Sequence, residues 1–259
     1  MLYLVAVGID QYKDCSIAPL RFARDDAEAF GAMFERGIHP TERQVTYLLD
    51  SEATHDAIRD VIGEQLARTA VEHEDVVIMY FAGHGSPETD GSPDRVSRYI
   101  ITHDTQYEKV YATGIDMERD LPRWFNRLPN PRLIVMFLDT CFSGRAGGRT
   151  FEGPGLKHAR TEHRSARPVS LKSLELGEGR IMISACDDDE VARESGDLGH
   201  GLFTHALMQS LRAARDGDTI SIAELYDRVA REVKVLSKGR QCPVANGRNK
   251  AARLPLLDC

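Results

Sequence analysis

The sequence predicts an α/β fold, a largely parallel sheet with helices on both faces. Two observations carry this. Unbroken apolar runs of strand length recur along the chain, the pattern of strands covered on both sides. Between them lie stretches whose apolar residues fall at helical spacing, joined by short connections.

Taken in order, "LYLVAVGI" (2–9) is the first strand, and Leu20, Ala23, Ala27, Phe30 and Phe34 mark one face of the helix after it. "QVTYLLD" (44–50) is the second strand, and Ile58, Ile62 and Leu66 give "HDAIRDVIGEQLARTA" a helical stripe. "DVVIMYFAG" (75–83) is the third strand, and "RYIITHD" (98–104) is a shorter one after a polar turn. Leu121, Trp124, Phe125 and Leu128 form the next helical stripe, with Pro122 in the first turn where its missing N–H costs nothing. "RLIVMFLD" (132–139) is the fourth long strand. The segment after Cys141 has no apolar period and reads as a long exposed loop. Order resumes with the strand "GRIMISAC" (179–186), the helix "GLFTHALMQSLRAA", and a second helix whose Ser221 and Glu224 form a capping box. "QCPVANG" is a short final strand. The chain shows no internal repeat, and 1–141, a basic linker loop at 142–178, and 179–259 read as parts of one domain.

Composition narrows the function. A net charge of −7 disfavours a general nucleic-acid binder, which needs a basic excess for phosphate. Five cysteines, an odd number without a CxxC pair, read as reduced thiols rather than a disulfide framework. The first apolar run is too short for a signal peptide, and no stretch reaches the roughly 20 apolar residues of a membrane helix. A cytoplasmic protein acting neither on nucleic acid nor at a membrane is expected.

The chemistry concentrates at two strand ends. "YFAGHGSPE" presents His84 between two glycines, and "FLDTCFSG" presents Cys141. Parallel strands carry both to one sheet edge, where reactive groups of such folds sit. An imidazole can take the proton of a thiol and create the thiolate nucleophile. The Gly85 amide is free to face a developing oxyanion, and the Cys141 amide is the second candidate donor. Singly, each motif has a bland reading, a tight turn for "GHG" and a structural thiol for Cys141; the matched pair favours catalysis. No GxSxG, HExxH, Walker A or GxGxxG motif competes. His200 and His205 read as a cap and a helix face rather than metal ligands.

"YFAGHGS" followed by "FLDTCFSG" resembles the catalytic motifs of caspase/metacaspase-like cysteine peptidases (clan CD, C14-type), closer to bacterial and metacaspase-type members than to animal caspases. "PLRFARDDAEAF" and "ISACDDDEVARES" extend the resemblance over nearly the whole chain. It implies a caspase-hemoglobinase fold, a three-layer α/β/α sandwich with a mostly parallel central sheet of about six strands. It implies His84 as base, Cys141 as nucleophile, and the Gly85 and Cys141 amides as oxyanion hole. It also places Asp139 and Asp26 in the S1 pocket, with Asp25 beside them; a solvated helix face is the alternative for Asp25 and Asp26. Carboxylates there favour Arg or Lys as the residue before the cut.

Asp187, Asp188, Asp189 and Glu190 border the cleft by the same resemblance. Their oxygens suit Ca²⁺, but no DxDxDG loop accompanies them, and a solvated or substrate-facing acidic loop is preferred. No cofactor is required. The loop at 143–172 carries Arg145, Arg149, Lys157, Arg160, Arg164, Arg167 and Lys172, where an Arg-directed enzyme would cut itself; an uncut basic loop is the alternative. The expected function is a cysteine endopeptidase acting on proteins after Arg or Lys. Such peptidases occur as regulated effectors in bacterial cell death and phage defence, triggered by a partner or sensor. A silent caspase-fold scaffold is the alternative. A redox-sensing thiol at Cys141 is a third reading, which needs a resolving cysteine that the sequence does not identify.

Overall fold

The computed structural model describes residues 1–36, 43–89, 96–142, 149, 176–187, 190–213, 219–247 and 253–255. The first half of the chain runs β1 (Leu2–Gly8), α1 (Ala23–Arg36), β2 (Arg43–Leu49), α2 (His55–Asp60), α3 (Leu66–Thr69) and β3 (Val76–Ala82). It continues through β4 (Gly85–Thr89), β5 (Val96–Ile100), α4 (Val110–Thr113), β6 (Ile115–Asp116), α5 (Met117–Arg127) and β7 (Leu133–Asp139). The second half holds β8 (Arg180–Ser184), β9 (Glu194–Ser195), β10 (His200–Gly201), α6 (Leu202–Arg212), β11 (Thr219–Ser221), α7 (Ile222–Leu236), β12 (Val244–Gly247) and β13 (Arg253–Pro255).

Six strands form the central sheet in the order β12-β8-β7-β3-β1-β2. All neighbours are parallel except β12, which closes the edge antiparallel to β8. Side-chain alternation splits the apolar runs into two cores. Leu4, Ala6, Ile78, Tyr80, Val135 and Phe137 pack with Phe30 and Phe34 of α1, Phe203 of α6 and Leu225 of α7. Val5, Val7, Val77, Phe81, Ile134 and Met136 pack on the other face with Ile58, Ile62, Leu121 and Trp124. Two covered faces explain why these strands read as unbroken apolar runs. Each such aliphatic side chain contributes about 1.5–3 kcal/mol by leaving water.

The structure adjusts several expected elements. The strand expected at 98–104 is Val96–Ile100, and it lies outside the central sheet in a three-stranded antiparallel unit, β4-β5-β6. It ends early because Thr102 turns the chain, its hydroxyl bonded to Asp104 and Thr105. The first helix starts at Ala23, after Leu20, because the Asp10 carboxylate accepts the Ala23 N–H at 2.8 Å. A π-helical stretch, Val61–Gln65, separates α2 from α3 in what reads as one helix. The expected capping box is present in part: Ser221 Oγ accepts the Glu224 N–H. Among the described residues no helix is long and apolar enough to cross a membrane.

Candidate active site

Strand register builds the site. Ala82 of β3 stands opposite Asp139 of β7, so His84 and Cys141, each two residues further on, leave the same sheet edge together. His84 is fixed from both sides: its backbone N–H donates to the Tyr12 hydroxyl at 2.8 Å, and its Nε2 pairs with the Ala18 carbonyl at 2.8 Å. A carbonyl can only accept, so Nε2 carries the hydrogen and Nδ1 is the basic nitrogen. Burial pushes the imidazole down to about 4; the hydrogen bond to the Ala18 carbonyl pulls it partly back, and the Arg149 charge adds to the lowering. The imidazole is therefore neutral at physiological pH. Cys141 is buried, and its thiol donates to the Glu190 carbonyl. Gly85 is required by space: a Cβ there would lie 2.5 Å from the Cys141 carbonyl oxygen and 2.8 Å from the Phe142 ring.

The chain supplies its own occupant. Between Phe142 and Leu176 the one described residue is Arg149, and its backbone lies against Gly85 and Cys141. Its carbonyl accepts from the Gly85 N–H at 3.1 Å and the Cys141 N–H at 3.2 Å, and its own N–H donates to the Ala192 carbonyl at 3.2 Å. The guanidinium is fully buried among carboxylates. Nη1 contacts Asp139 Oδ2 at 2.9 Å and the Asp139 carbonyl at 3.2 Å. Nη2 reaches Asp26 Oδ2, and Glu194 Oε1 at 3.2 Å. Two amides converging on one carbonyl, with a guanidinium seated between acids, have the form of a bound peptide one residue before the cut.

The sequence matches the caspase domain family over residues 3–252. The chain belongs to the caspase domain family. The fold of this caspase domain is shared by solved structures at low identity. One is protein GSU0716 from Geobacter sulfurreducens, with a TM-score of 0.68 and 19% identity over 99% of this chain and 94% of that one. Another is caspase-1 from Spodoptera frugiperda, with a TM-score of 0.57 and 13% identity over 95% of this chain and 87% of that one. Among curated proteins, none matches the chain.

Within the caspase domain, His84, Gly85, Cys141, Asp26 and Asp139 lie around the seat of Arg149. Asp25 does not: it is exposed on α1, because Asp26 and not Asp25 shares the buried stripe of Ala23, Ala27 and Phe30. Asp188 and Asp189 lie outside the described residues. Asp187 is only half-buried, and the Glu190 carboxylate is turned to the Cys242 N–H. Among the described residues no group of three or more His, Cys, Asp or Glu is placed to hold a metal ion. Of the candidate self-cleavage residues, Arg149 is described, while Arg145, Arg160, Arg164 and Arg167 lie outside the described residues.

Sequence reasoning missed the supports of the pocket. Glu194 is its third carboxylate. Asp26 is held by the Gly201 N–H at 3.0 Å and by His200 Nδ1 at 2.7 Å, so His200 is a pocket residue and not a helix cap. Thr204 Oγ1 donates to Asp139 Oδ2 at 2.6 Å and is itself bonded to the Tyr80 hydroxyl. Gly201 forms a wall: a Cβ there would meet Asp139 Oδ2 at 2.6 Å and the Arg149 guanidinium at 3.0 Å. Burial raises Asp139 to about 6; Arg149 opposes this and the neighbouring Asp26 adds to it.

Proposed function

We propose that this caspase domain is a cysteine endopeptidase that cleaves after arginine, and that the Arg149–Thr150 bond of its own linker is the first bond it cuts. The observation that carries both is the seat of Arg149, with its carbonyl on the Gly85 and Cys141 amides and its guanidinium on Asp139, Asp26 and Glu194. Cys141 Sγ attacks the arginine carbonyl carbon while Nδ1 of His84 takes the thiol proton. Negative charge moves onto the carbonyl oxygen, where two N–H groups already point. The peptide C–N bond then breaks, His84 returns the proton to the leaving amine, and water hydrolyses the thioester. The neutral His84 that burial enforces is the form this sequence requires.

The pocket favours arginine over lysine. Its acceptors sit at separate points, Asp139 at Nη1 and Asp26 with Glu194 at Nη2, which matches a planar fork. A lysine ammonium is a single point charge and cannot bridge them.

The test is turnover of fluorogenic peptides differing only in Arg, Lys or Asp before the cut, with and without Ca²⁺, beside Cys141→Ala. Arg peptides are expected to turn over fastest, Lys peptides more slowly and Asp peptides not at all, with no turnover by Cys141→Ala. Turnover of Asp peptides overturns the pocket assignment, and activity in Cys141→Ala overturns the nucleophile.

A further inference from the structure

Cys186 takes no part in these steps, yet it lies beside the nucleophile. β8 runs parallel to β7 with Leu138 opposite Ser184, and the pairing continues past the strands, the Ala185 N–H donating to the Leu138 carbonyl at 2.8 Å. Cys186 therefore reaches the level of Thr140, its thiol donating to the Thr140 carbonyl at 3.8 Å, one residue short of Cys141 on the neighbouring strand. Cys141 is one residue beyond that level, so a strand spacing of about 4.8 Å and a rise of about 3.3 Å per residue put the two Cα atoms roughly 5.8 Å apart, inside the roughly 4.4–6.8 Å that a disulfide spans. Both thiols are buried in one apolar cluster. The Cys141 side chain beside it and burial hold Cys186 well above the usual thiol range, so it stays protonated at rest.

We propose that Cys186 is a resolving thiol: peroxide oxidises Cys141, and the two cysteines then close a reversible disulfide that switches the site off. In the first step the Cys141 thiolate attacks one peroxide oxygen. The O–O bond breaks, leaving a sulfenic acid on Cys141 and releasing hydroxide, or alkoxide from an organic peroxide. In the second, Cys186 sulfur attacks Cys141 sulfur and the S–O bond breaks. The departing hydroxide takes the Cys186 proton and leaves as water. Two thiols are oxidised by two electrons in all, and the peroxide is reduced. The disulfide removes the nucleophile from catalysis and protects it from the irreversible sulfinic and sulfonic acids. Reduction by a small dithiol restores both thiols.

The inference needs the thiol pair and not the peptidase reading, so its test reads masses as well as activity. The full chain, Cys186→Ala and Cys186→Ser are treated with hydrogen peroxide, alkylated and digested without reductant. The expected result is a linked peptide joining Cys141 to Cys186 in the natural chain, with activity lost and then regained in dithiothreitol. In both variants Cys141 is expected to advance to sulfinic and sulfonic acid, and the reductant recovers nothing. No linked peptide and equal Cys141 overoxidation in all three proteins overturns the proposal, as does a linkage from Cys141 to any other cysteine. A chain without peptidase activity that still forms the link fails the functional reading and sustains this one.

Discussion

Replacing Asp139 by asparagine keeps the shape of the pocket and removes one charge. Its Oδ2 lies 2.9 Å from Nη1 of the bound arginine, with neither side chain exposed. Removing one partner of a buried ion pair costs about 3–5 kcal/mol. Asp26 and Glu194 remain on Nη2, and relief of the Asp26–Asp139 repulsion offsets part of the loss, so the lower end applies. At about 1.36 kcal/mol per decade, a loss of about 3 kcal/mol is roughly a 150-fold fall in kcat/KM for an Arg peptide. The assay is kcat/KM on Arg and Lys peptides for the natural chain and Asp139→Asn, with circular dichroism to confirm the fold. A folded variant that keeps kcat/KM within about threefold, well under the tenfold that 1.4 kcal/mol represents, refutes the assignment of Asp139 to the arginine pocket.

Two further outcomes follow from the same geometry. Gly201→Ala places a Cβ 2.6 Å from Asp139 Oδ2, so it should lower turnover of Arg peptides by about 100-fold while the chain stays folded; kcat/KM within a few-fold of the natural chain contradicts the wall assigned to Gly201. Asp139, raised to about 6, gains its proton as pH falls through that value and the pocket loses charge, whereas His84, lowered to about 4, stays neutral there. Without a bound guanidinium to lower it, Asp139 titrates higher still, so kcat/KM should fall on an acid limb at or above pH 6 that is absent in Asp139→Asn. A limb unchanged in the variant assigns it to another group.

What the sequence disclosed and what it hid have physical reasons. The long strands were legible because they are buried on both faces, and their common direction was enough to bring His84 and Cys141 to one edge. Asp26 was separable from Asp25 in principle, since it continues the buried spacing of Ala23, Ala27 and Phe30. The two-residue strands β9 and β10 have no period to read, so Glu194 and Gly201 were invisible although both line the pocket. Arg149 was one of several arginines in a segment without pattern. Its selection depends on which residue can put its carbonyl on the Gly85 and Cys141 amides while its side chain reaches β7 and α1, a condition only the folded chain states. Cys186 was hidden likewise, because it comes beside Cys141 only through the pairing of β7 with β8, strands far apart in the sequence.

In the proposed function the Cys141 site is built around an arginine carbonyl, with Arg149 as its first occupant. Intact-mass measurement of the purified chain after incubation, beside Cys141→Ala, tests it most directly. Two fragments meeting between Arg149 and Thr150 are expected in the natural chain and one uncut mass in Cys141→Ala. A chain that stays whole under conditions where it turns over Arg peptides, or the same break appearing in Cys141→Ala, contradicts it.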